Sequence, residues 1–335
     1  MFLIVCIVLL IFPDAAAEGA REGLEVGFNT VVCSVLPFAV AASALIRSGQ
    51  GRVIGALCSP FFKKLRLNPY GSVAFFSSAL GGYPTGAGAV CDMYEERLIG
   101  KEEAEDILAY ANNGGIIFAI NIIGKIAFSS IFAGVLVWVF QLLGALLTGC
   151  IMSRGSVKTV DITARIEKCK KEKPSYMAVF GKSIASGGVM LINIVSAFVV
   201  FYALIEAIGL ERYPFLAGLC EIVKGVNYAS EVNSLSLAAL FFAFGGVSVF
   251  VQCGAVCAKH NFKMTRCIVG KALTGVFAYI FTYSTLLVMK GRFDVLVLSL
   301  CAVCVIVSGC LIFRKIKKHF QCFNPLVSQS WGMKR

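Results

Sequence analysis

Long apolar runs separated by short charged stretches dominate this chain. The clearest run, residues 126–151, contains 26 consecutive uncharged residues. About 20 apolar residues in a helix cross the hydrocarbon core of a bilayer, so this run predicts a membrane-spanning helix. The pattern as a whole predicts an all-α polytopic membrane protein. Similar runs predict further spans at 28–46, 184–205, 272–289 and 295–313.

One uncharged segment, residues 67–91, does not fit a plain helix. It contains Pro69 and Pro84 and a cluster of glycines near its middle. Proline removes a backbone hydrogen-bond donor, and each glycine costs about 1 kcal/mol of helix stability. Irregular backbone at membrane depth is tolerated where protein buries it or where it lines a wet cavity. The segment therefore predicts a broken element at a binding site or a transport pathway.

Three other apolar segments have similar interruptions. An Asn-Asn-Gly-Gly sequence interrupts residues 107–124, and paired glycines interrupt residues 234–258. Residues 213–230 contain scattered glycines together with Glu221 and Lys224, which a lipid-facing helix would expel. We therefore expect four broken elements in all.

Clusters of Lys and Arg predict how these segments are oriented, because loops rich in these residues stay in the cytoplasm. The stretches 47–66, 153–174 and 259–271 are basic, and the second has seven Lys and Arg residues. If 67–91 or 213–230 crossed the membrane fully, one of these stretches would lie outside. Both segments are therefore predicted to be re-entrant hairpins that enter from opposite faces.

These elements form a predicted inverted repeat of span, re-entrant hairpin and broken span. Inverted repeats with paired hairpins or broken helices that meet near the bilayer midplane are common in secondary transporters. The predicted regions are a short N-terminal apolar helix (1–20), the first repeat with its following span (21–152), a basic cytoplasmic linker (153–175), the second repeat (176–271), two C-terminal spans (272–313) and a basic cytoplasmic tail (314–335).

The apolar run at residues 2–12 has two interpretations. It is followed by three alanines at 15–17, as the apolar region of a signal peptide is followed by its cleavage site. No Lys or Arg precedes the run, which favours a retained short helix. Both interpretations stay open.

Composition agrees with a membrane protein, because 58% of the 335 residues are hydrophobic, above the roughly 45–50% of soluble domains. The net charge of +12 comes from basic clusters beside apolar runs, where Lys and Arg set topology and contact anionic lipid headgroups. The expected partners are therefore the lipid bilayer and a small anionic substrate, without nucleic acid. A homo-oligomer stays open.

Metal and catalytic chemistry find little support in the sequence. Cys253 with Cys257, and Cys301 with Cys304, have helical spacing that could suit a soft metal, but no histidine cluster accompanies them. Small polarizable cysteines also suit helix packing in lipid. No nucleophile and base occur together, so we expect no enzyme, no cofactor and no metal.

The candidate substrate site combines the broken elements. Their helix N-termini each present roughly half a positive charge, and glycines expose backbone N–H groups to an anion. Thr85 adds a hydroxyl donor, and the two asparagines add amides that can bind a carboxylate or a ring nitrogen. The candidate residues are Gly81, Gly82, Tyr83, Pro84, Thr85, Gly86, Asn112, Asn113, Glu221, Lys224, Asn227 and Gln252.

Each candidate also has a structural alternative. The glycines could form a helix-packing face, and an asparagine could hold a neighbouring helix by a hydrogen bond. Glu221 and Lys224 lie one helical turn apart and could pair with each other. Asn227 and Gln252 are the weaker candidates.

Several short motifs resemble the sporulation integral membrane protein YlbJ family, also called stage V sporulation protein V. They occur in the family's order over roughly residues 20–290, and the Gly-Tyr-Pro-Thr-Gly-Ala sequence is the most specific. Members share a nucleoside-recognition or Gate-type membrane domain. The motifs are Leu36-Pro37-Phe38, Gly82-Tyr83-Pro84-Thr85-Gly86-Ala87, Glu103-Ala104-Glu105 followed by Asn112-Asn113, Gly218-Leu219-Cys220-Glu221-Ile222 with Gly225, and Phe244-Gly245-Gly246-Val247-Ser248 with Gln252.

The resemblance implies a protein of the outer forespore membrane that moves dipicolinic acid from the mother cell toward the developing spore. It also implies a distant likeness to concentrative nucleoside transporters. We accordingly expect a cell membrane or outer forespore membrane location with both termini on the mother-cell, cytoplasmic side. A nucleoside-like solute transporter and a non-transporting scaffold for spore or envelope assembly are the alternatives.

Overall fold

The computed structural model describes residues 2–153 and 175–291, and no β-strand occurs in this part of the chain. The helices are α1 (Phe2–Ile11), α2 (Pro13–Glu25), α3 (Cys33–Arg47), α4 (Gln50–Lys64), α5 (Gly71–Gly81), α6 (Thr85–Glu95), α7 (Lys101–Leu108), α8 (Ile116–Phe118), α9 (Ile131–Met152), α10 (Tyr176–Ala207), α11 (Pro214–Cys220), α12 (Ile222–Glu231), α13 (Leu235–Phe244), α14 (Gly246–Cys257) and α15 (Thr265–Met289). Short 3-10 turns cover Leu210–Arg212 and Ala258–His260, and π-helical segments cover Val26–Val32 and Ala119–Ala127.

Four of the described helical segments are long and apolar enough to cross a membrane. They are α9, α10, α15 and the segment Leu235–His260, which contains α13 and α14. The pair α1 and α2, bent by 102°, gives a fifth span if it is counted as one. The chain is therefore an all-α, multi-pass membrane protein, as the apolar pattern predicts.

Three predicted spans have counterparts with shifted ends. The predicted 126–151 corresponds to α9, and 184–205 lies within the 32-residue α10. The predicted 272–289 corresponds to α15, which begins earlier, at Thr265. The basic linker, apart from Ser153 and Ser175, lies outside the described residues, as do the predicted span 295–313 and the tail.

The N-terminal region differs from the single short helix expected over residues 1–20. Helix α1 ends before Pro13, and α2 begins with this proline at its first position, where a missing N–H disturbs no helical hydrogen bond. Helix α2 packs closely on α10. A Cβ atom on Gly19 would lie 2.5 Å from the carbonyl oxygen of Tyr202, and one on Gly23 would lie 2.7 Å from that of Phe198. Glycine at these two positions therefore allows the helices to touch.

Helix is interrupted at each of the four places that the sequence singles out. Helices α5 and α6 pack against each other and are joined by Gly82–Pro84, which we call the first turn. Helices α11 and α12 also pack together and are joined at Glu221, the second turn. Residues 112–115, which are not helical, form the first break, and Gly245 with Gly246 forms the second break. The membrane face that each hairpin enters stays a prediction.

The charged segment 92–106 is divided between two helices, although its many charges favour a single solvated helix outside the hydrocarbon core. Helix α6 ends at Glu95 and α7 begins after Gly100, whose N–H donates to Oε2 of Glu103 at 2.8 Å. Glu105 is buried and accepts a hydrogen bond from the backbone N–H of Lys263. One face of α7 therefore packs on the protein instead of facing water.

Two hydrophobic clusters form the core of residues 1–282, the first of two compact units. One cluster surrounds α5, α6 and α7, and the other surrounds α10, α12 and α13. Tyr83 in the first turn packs against both clusters. Of the second unit, residues 283–335, the structure describes the end of α15 and the turn up to Gly291.

Candidate functional site

Within each predicted repeat, the hairpin turn and the helix break contact each other closely at glycine residues. A Cβ atom on Gly115 in the first break would lie 2.8 Å from the backbone nitrogen of Gly82 in the first turn. A Cβ atom on Gly246 in the second break would lie 2.9 Å from the carbonyl oxygen of Cys220, beside the second turn. Only glycine allows such close approach. In each half, a hairpin turn therefore meets the break of the following helix.

Tyr83 joins the two halves. Its hydroxyl is shared between the carbonyl oxygens of Phe242, at 3.1 Å, and Ala243, at 3.2 Å. These carbonyls lie in the last turn of α13, where Gly245 ends the helix and leaves carbonyl groups without helical partners. A side chain from the first turn thus stabilises the second break.

Lys271 lies beside the same region, fully buried. Its Nζ donates to the carbonyl oxygen of Asn112 at 2.9 Å and lies 4.7 Å from the centre of the Tyr83 ring. The expectation that Lys271 ends a basic cytoplasmic loop is wrong. A Cβ atom on the preceding Gly270 would lie 2.1 Å from the carbonyl oxygen of Ala109, so this face of α15 packs on the residue that follows α7. From there the lysine amine reaches Asn112 in the first break.

Gln141 of α9 supports the first break. Its Oε1 accepts the backbone N–H of Gly114 at 3.0 Å, and its Nε2 donates to the carbonyl oxygen of the same residue at 3.0 Å. Both backbone groups of a buried, non-helical residue are thereby paired. Gln141 is not among the residues that the sequence singles out, because a glutamine in an uncharged run resembles ordinary helix-contact residues.

Asn112 and Asn113 are both fully buried. The Nδ2 of Asn112 lies 2.8 Å from Sγ of Cys253, and that of Asn113 donates to the carbonyl oxygen of Tyr110 at 3.0 Å. Neither Oδ1 atom has a hydrogen-bond partner among the residues that the structure describes. The first break therefore offers two buried acceptors in addition to its structural bonds.

Glu221 acts as the N-cap of α12. Its Oε2 accepts the backbone N–H groups of Val223 at 2.7 Å and Lys224 at 3.1 Å, while its Oε1 has no hydrogen-bond partner within the described residues. The carboxylate is fully buried. Its first role is structural, because it satisfies N–H groups that a helix start leaves unpaired.

Lys224 does not pair with Glu221, contrary to the structural alternative considered above. Its Nζ binds the carboxylate of Glu22 at 2.7 and 2.9 Å and that of Glu211, and it lies 4.6 Å from the Tyr202 ring centre. The ammonium lowers the pKa of Glu211, which lies in the turn before α11. Lys224 therefore ties α12 to α2 and to this turn, outside the contacts between the breaks.

The other candidates have different surroundings. The buried hydroxyl of Thr85 closes the first turn through the carbonyl oxygens of Gly82, at 2.6 Å, and Ser77, at 3.0 Å. A Cβ atom on Gly86 would lie 2.1 Å from the carbonyl oxygen of Ala111, so this glycine is a close-packing position. Pro84 is buried at the N-cap of α6, Gly81 is buried against Thr85, Gln252 is buried on α14, and Asn227 is exposed on α12.

A cavity of about 480 Å³ lies between α3, α6, α10 and α14. Its lining includes Thr85, the first residue of α6, and Glu95, the last. At 1.5 Å per residue, the cavity therefore follows α6 for about 15 Å to the first turn. Ser77 lines it beside Thr85, and Gly88 lines it midway, where the nearest atom to an added Cβ would be Cε of Met190 at 3.8 Å.

Charged residues surround the other end of the cavity. Nη2 of Arg47 lies 3.7 Å from Oδ1 of Asp92 and donates to Oγ of Ser186 at 3.1 Å. Nε2 of His260 lies 3.2 Å from Oε1 of Glu95. Burial raises the pKa of Asp92, and the Arg47 guanidinium opposes this shift. These contacts connect the end of α6 to α3, α10 and the turn after α14.

Cys91 lines the cavity and contacts a second, buried cysteine. Sγ of Cys91 on α6 lies 3.8 Å from Sγ of Cys257 on α14. In the described ranges, no group of three or more His, Cys, Asp or Glu side chains is arranged to hold a metal ion. The pair is therefore a contact between two helices.

Comparisons with known proteins find one distant relative. The chain is 23% identical over 329 aligned residues to the sporulation integral membrane protein YlbJ of Bacillus subtilis (strain 168), and the alignment covers 84% of this chain and 80% of YlbJ. No family model matches the chain. No solved structure matches it. The expected Gate-type domain thus stays a prediction, while similarity to a sporulation membrane protein extends along most of the chain.

Proposed function

We propose that this protein is a transporter for a small anionic solute. The observation that supports it best is the cavity of about 480 Å³ that ends at the first turn, where the interrupted helices meet. Cavities of about 300–1,000 Å³ are typical of small-molecule sites. Interrupted helices that meet inside a membrane protein are typical of secondary transporters.

The electrostatics favour an anion. Helix α6 starts at the inner end of the cavity without a side-chain cap, so its N–H groups and dipole attract negative charge. Arg47 and Lys259 are among the residues that line the cavity, and Lys271 lies behind the first turn. At the other end of the cavity, the acidic residue Asp92 is paired with Arg47. The start of α6 and the nearby Lys271 therefore favour an anion at the inner end of the cavity.

The similarity to a sporulation membrane protein suggests which anion is carried. We propose dipicolinic acid, moved from the mother cell across the outer forespore membrane. Dipicolinate is a dianion near neutral pH, so it needs cationic groups and N–H donors, which the region around the first turn offers.

A nucleoside-like solute is the second candidate. The unpaired Oδ1 atoms of Asn112 and Asn113 are acceptors, which suit the N–H and O–H donors of a nucleoside better than they suit a carboxylate. The third candidate, a scaffold for spore or envelope assembly without transport, needs neither the cavity nor these atoms.

A sporulating strain that lacks the protein tests the proposal. We expect dipicolinate to accumulate in the mother cell and to be depleted in the spore, because the solute is blocked before the outer forespore membrane. Re-expression of the chain should restore the spore content. Normal dipicolinate loading in the absence of the protein, in a strain without a second carrier, would contradict the proposal.

A further inference from the structure

Lys271 is a fully buried lysine. In the described part of the chain no carboxylate lies within 4 Å of its Nζ, and its one hydrogen bond goes to the neutral carbonyl oxygen of Asn112. Lys224, in contrast, is paired as largely buried lysines usually are, because two carboxylates contact its ammonium. Burial of an unpaired charge costs several kcal/mol, so membrane proteins keep such residues mainly where they function.

The groups around Lys271 are not what a purely structural lysine requires. The face of the Tyr83 ring, the carbonyl oxygen of Asn112 and the thiols of Cys253 and Cys267 are neutral neighbours. A neutral donor such as glutamine could satisfy the carbonyl, and methionine could fill the space. The basic amine is therefore the property of Lys271 that packing does not explain.

The position of Lys271 links it to the cavity. Thr85, two residues beyond Tyr83, lines the inner end of the cavity, and Tyr83 covers the ammonium. The free Oδ1 of Asn112 belongs to the same residue whose carbonyl binds Lys271. A carboxylate that passes the first turn would thus meet an ammonium with unused N–H donors.

We propose that Lys271 binds a carboxylate of the transported anion, at a site completed by Tyr83 and the first break. The inference rests on the proposed function and adds the residue that neutralises the substrate. Movement of the first turn would exchange the Tyr83 ring for the carboxylate over the ammonium. The carboxylate gains a charge-assisted hydrogen bond, and Lys271 gains the counter-charge that the empty protein lacks.

Dipicolinate binding to the purified full chain, measured by calorimetry in detergent micelles, tests the site. The variant Lys271→Gln keeps a donor for Asn112 but loses the charge, and we expect it to weaken binding about tenfold or more, as for the loss of a hydrogen bond to a charged group. Lys271→Arg should keep most of the affinity. The matched control Lys125→Gln removes a lysine that is exposed on a π-helical segment and should bind like the wild type.

The outcomes separate the two proposals. Wild-type protein that does not bind dipicolinate contradicts the proposed substrate and this inference together. Wild-type binding with equal affinity in Lys271→Gln contradicts the inference alone. If Lys271→Gln does not fold, a second measurement uses the wild type: mass spectrometry follows the rate at which an amine reagent modifies Lys271. Dipicolinate should slow this modification. A rate that dipicolinate does not change contradicts the site.

Discussion

Single residues decide what the backbone can do at the interrupted helices. Gly86 and Gly88 lie on the same short helix, yet a Cβ atom would collide with the carbonyl oxygen of Ala111 at the first and meet nothing closer than 3.8 Å at the second. The first glycine permits packing and the second leaves space in a cavity. Of the two alternatives considered from the sequence, a packing face and a ligand site, the structure supports packing for Gly86.

Gln141 gives a prediction at this scale. Gln141→Leu leaves the N–H and the carbonyl of Gly114 buried and unpaired, and each unpaired group costs about 1–3 kcal/mol. We expect a lower melting temperature in a fluorescence-based unfolding assay of the detergent-purified protein. Gln50→Leu, the same change at an exposed position on α4, is the control. Equal melting temperatures for the two variants would show that Gln141 does not support the break.

The ends of helices can be predicted from the sequence where proline and glycine alone interrupt them. Pro84 and the neighbouring glycines predict the first turn, and paired glycines predict the second break, because these residues disfavour helix wherever they occur. Contacts between elements were not predictable in this way. Lys224 pairs with Glu22, 202 residues away, and no pattern within one helix indicates such a partner.

Helices α6 and α14 give a prediction at the scale of elements. In a background in which Cys91 and Cys257 are the only cysteines, copper phenanthroline should oxidise the two thiols to a disulfide, since Sγ atoms 3.8 Å apart need to approach by less than 2 Å. If transport requires α6 to move against α14, cross-linked protein should lose uptake, and a reductant should restore it.

The matched control for this experiment is Cys91→Ser, which cannot form the bond and should keep its uptake after oxidation. Full uptake by protein shown to be cross-linked would mean that this helix contact stays fixed during transport.

At the scale of the whole molecule, the sequence predicts the class and the number of interruptions, while the centre of the site comes from tertiary packing. Lys271 adjoins a run that is basic in sequence, so charge counting assigned it to a loop. The close packing of Gly270 on Ala109 places Lys271 inside the protein instead. Whether such a lysine is buried depends on which helix faces pack together. The apolar pattern of a single helix does not specify this.

The candidate site combines residues from the first hairpin with residues from α13 and α15. Tyr83 comes from the first hairpin, the carbonyls that it binds come from α13, and Lys271 comes from α15. A conformational change that separates the halves would therefore alter the site itself. The proposed transport by alternating access would require such a coupling.

Uptake of radiolabelled dipicolinate into proteoliposomes tests the central claim most directly. The wild-type chain should carry dipicolinate, and Gly88→Leu should reduce uptake strongly, because leucine fills the cavity without a backbone collision. Gly181→Leu, the same change at an exposed position on α10 with no neighbouring atoms, should transport like the wild type. Correctly inserted wild-type protein that carries no dipicolinate, or a Gly88→Leu variant as active as the wild type, would contradict the account.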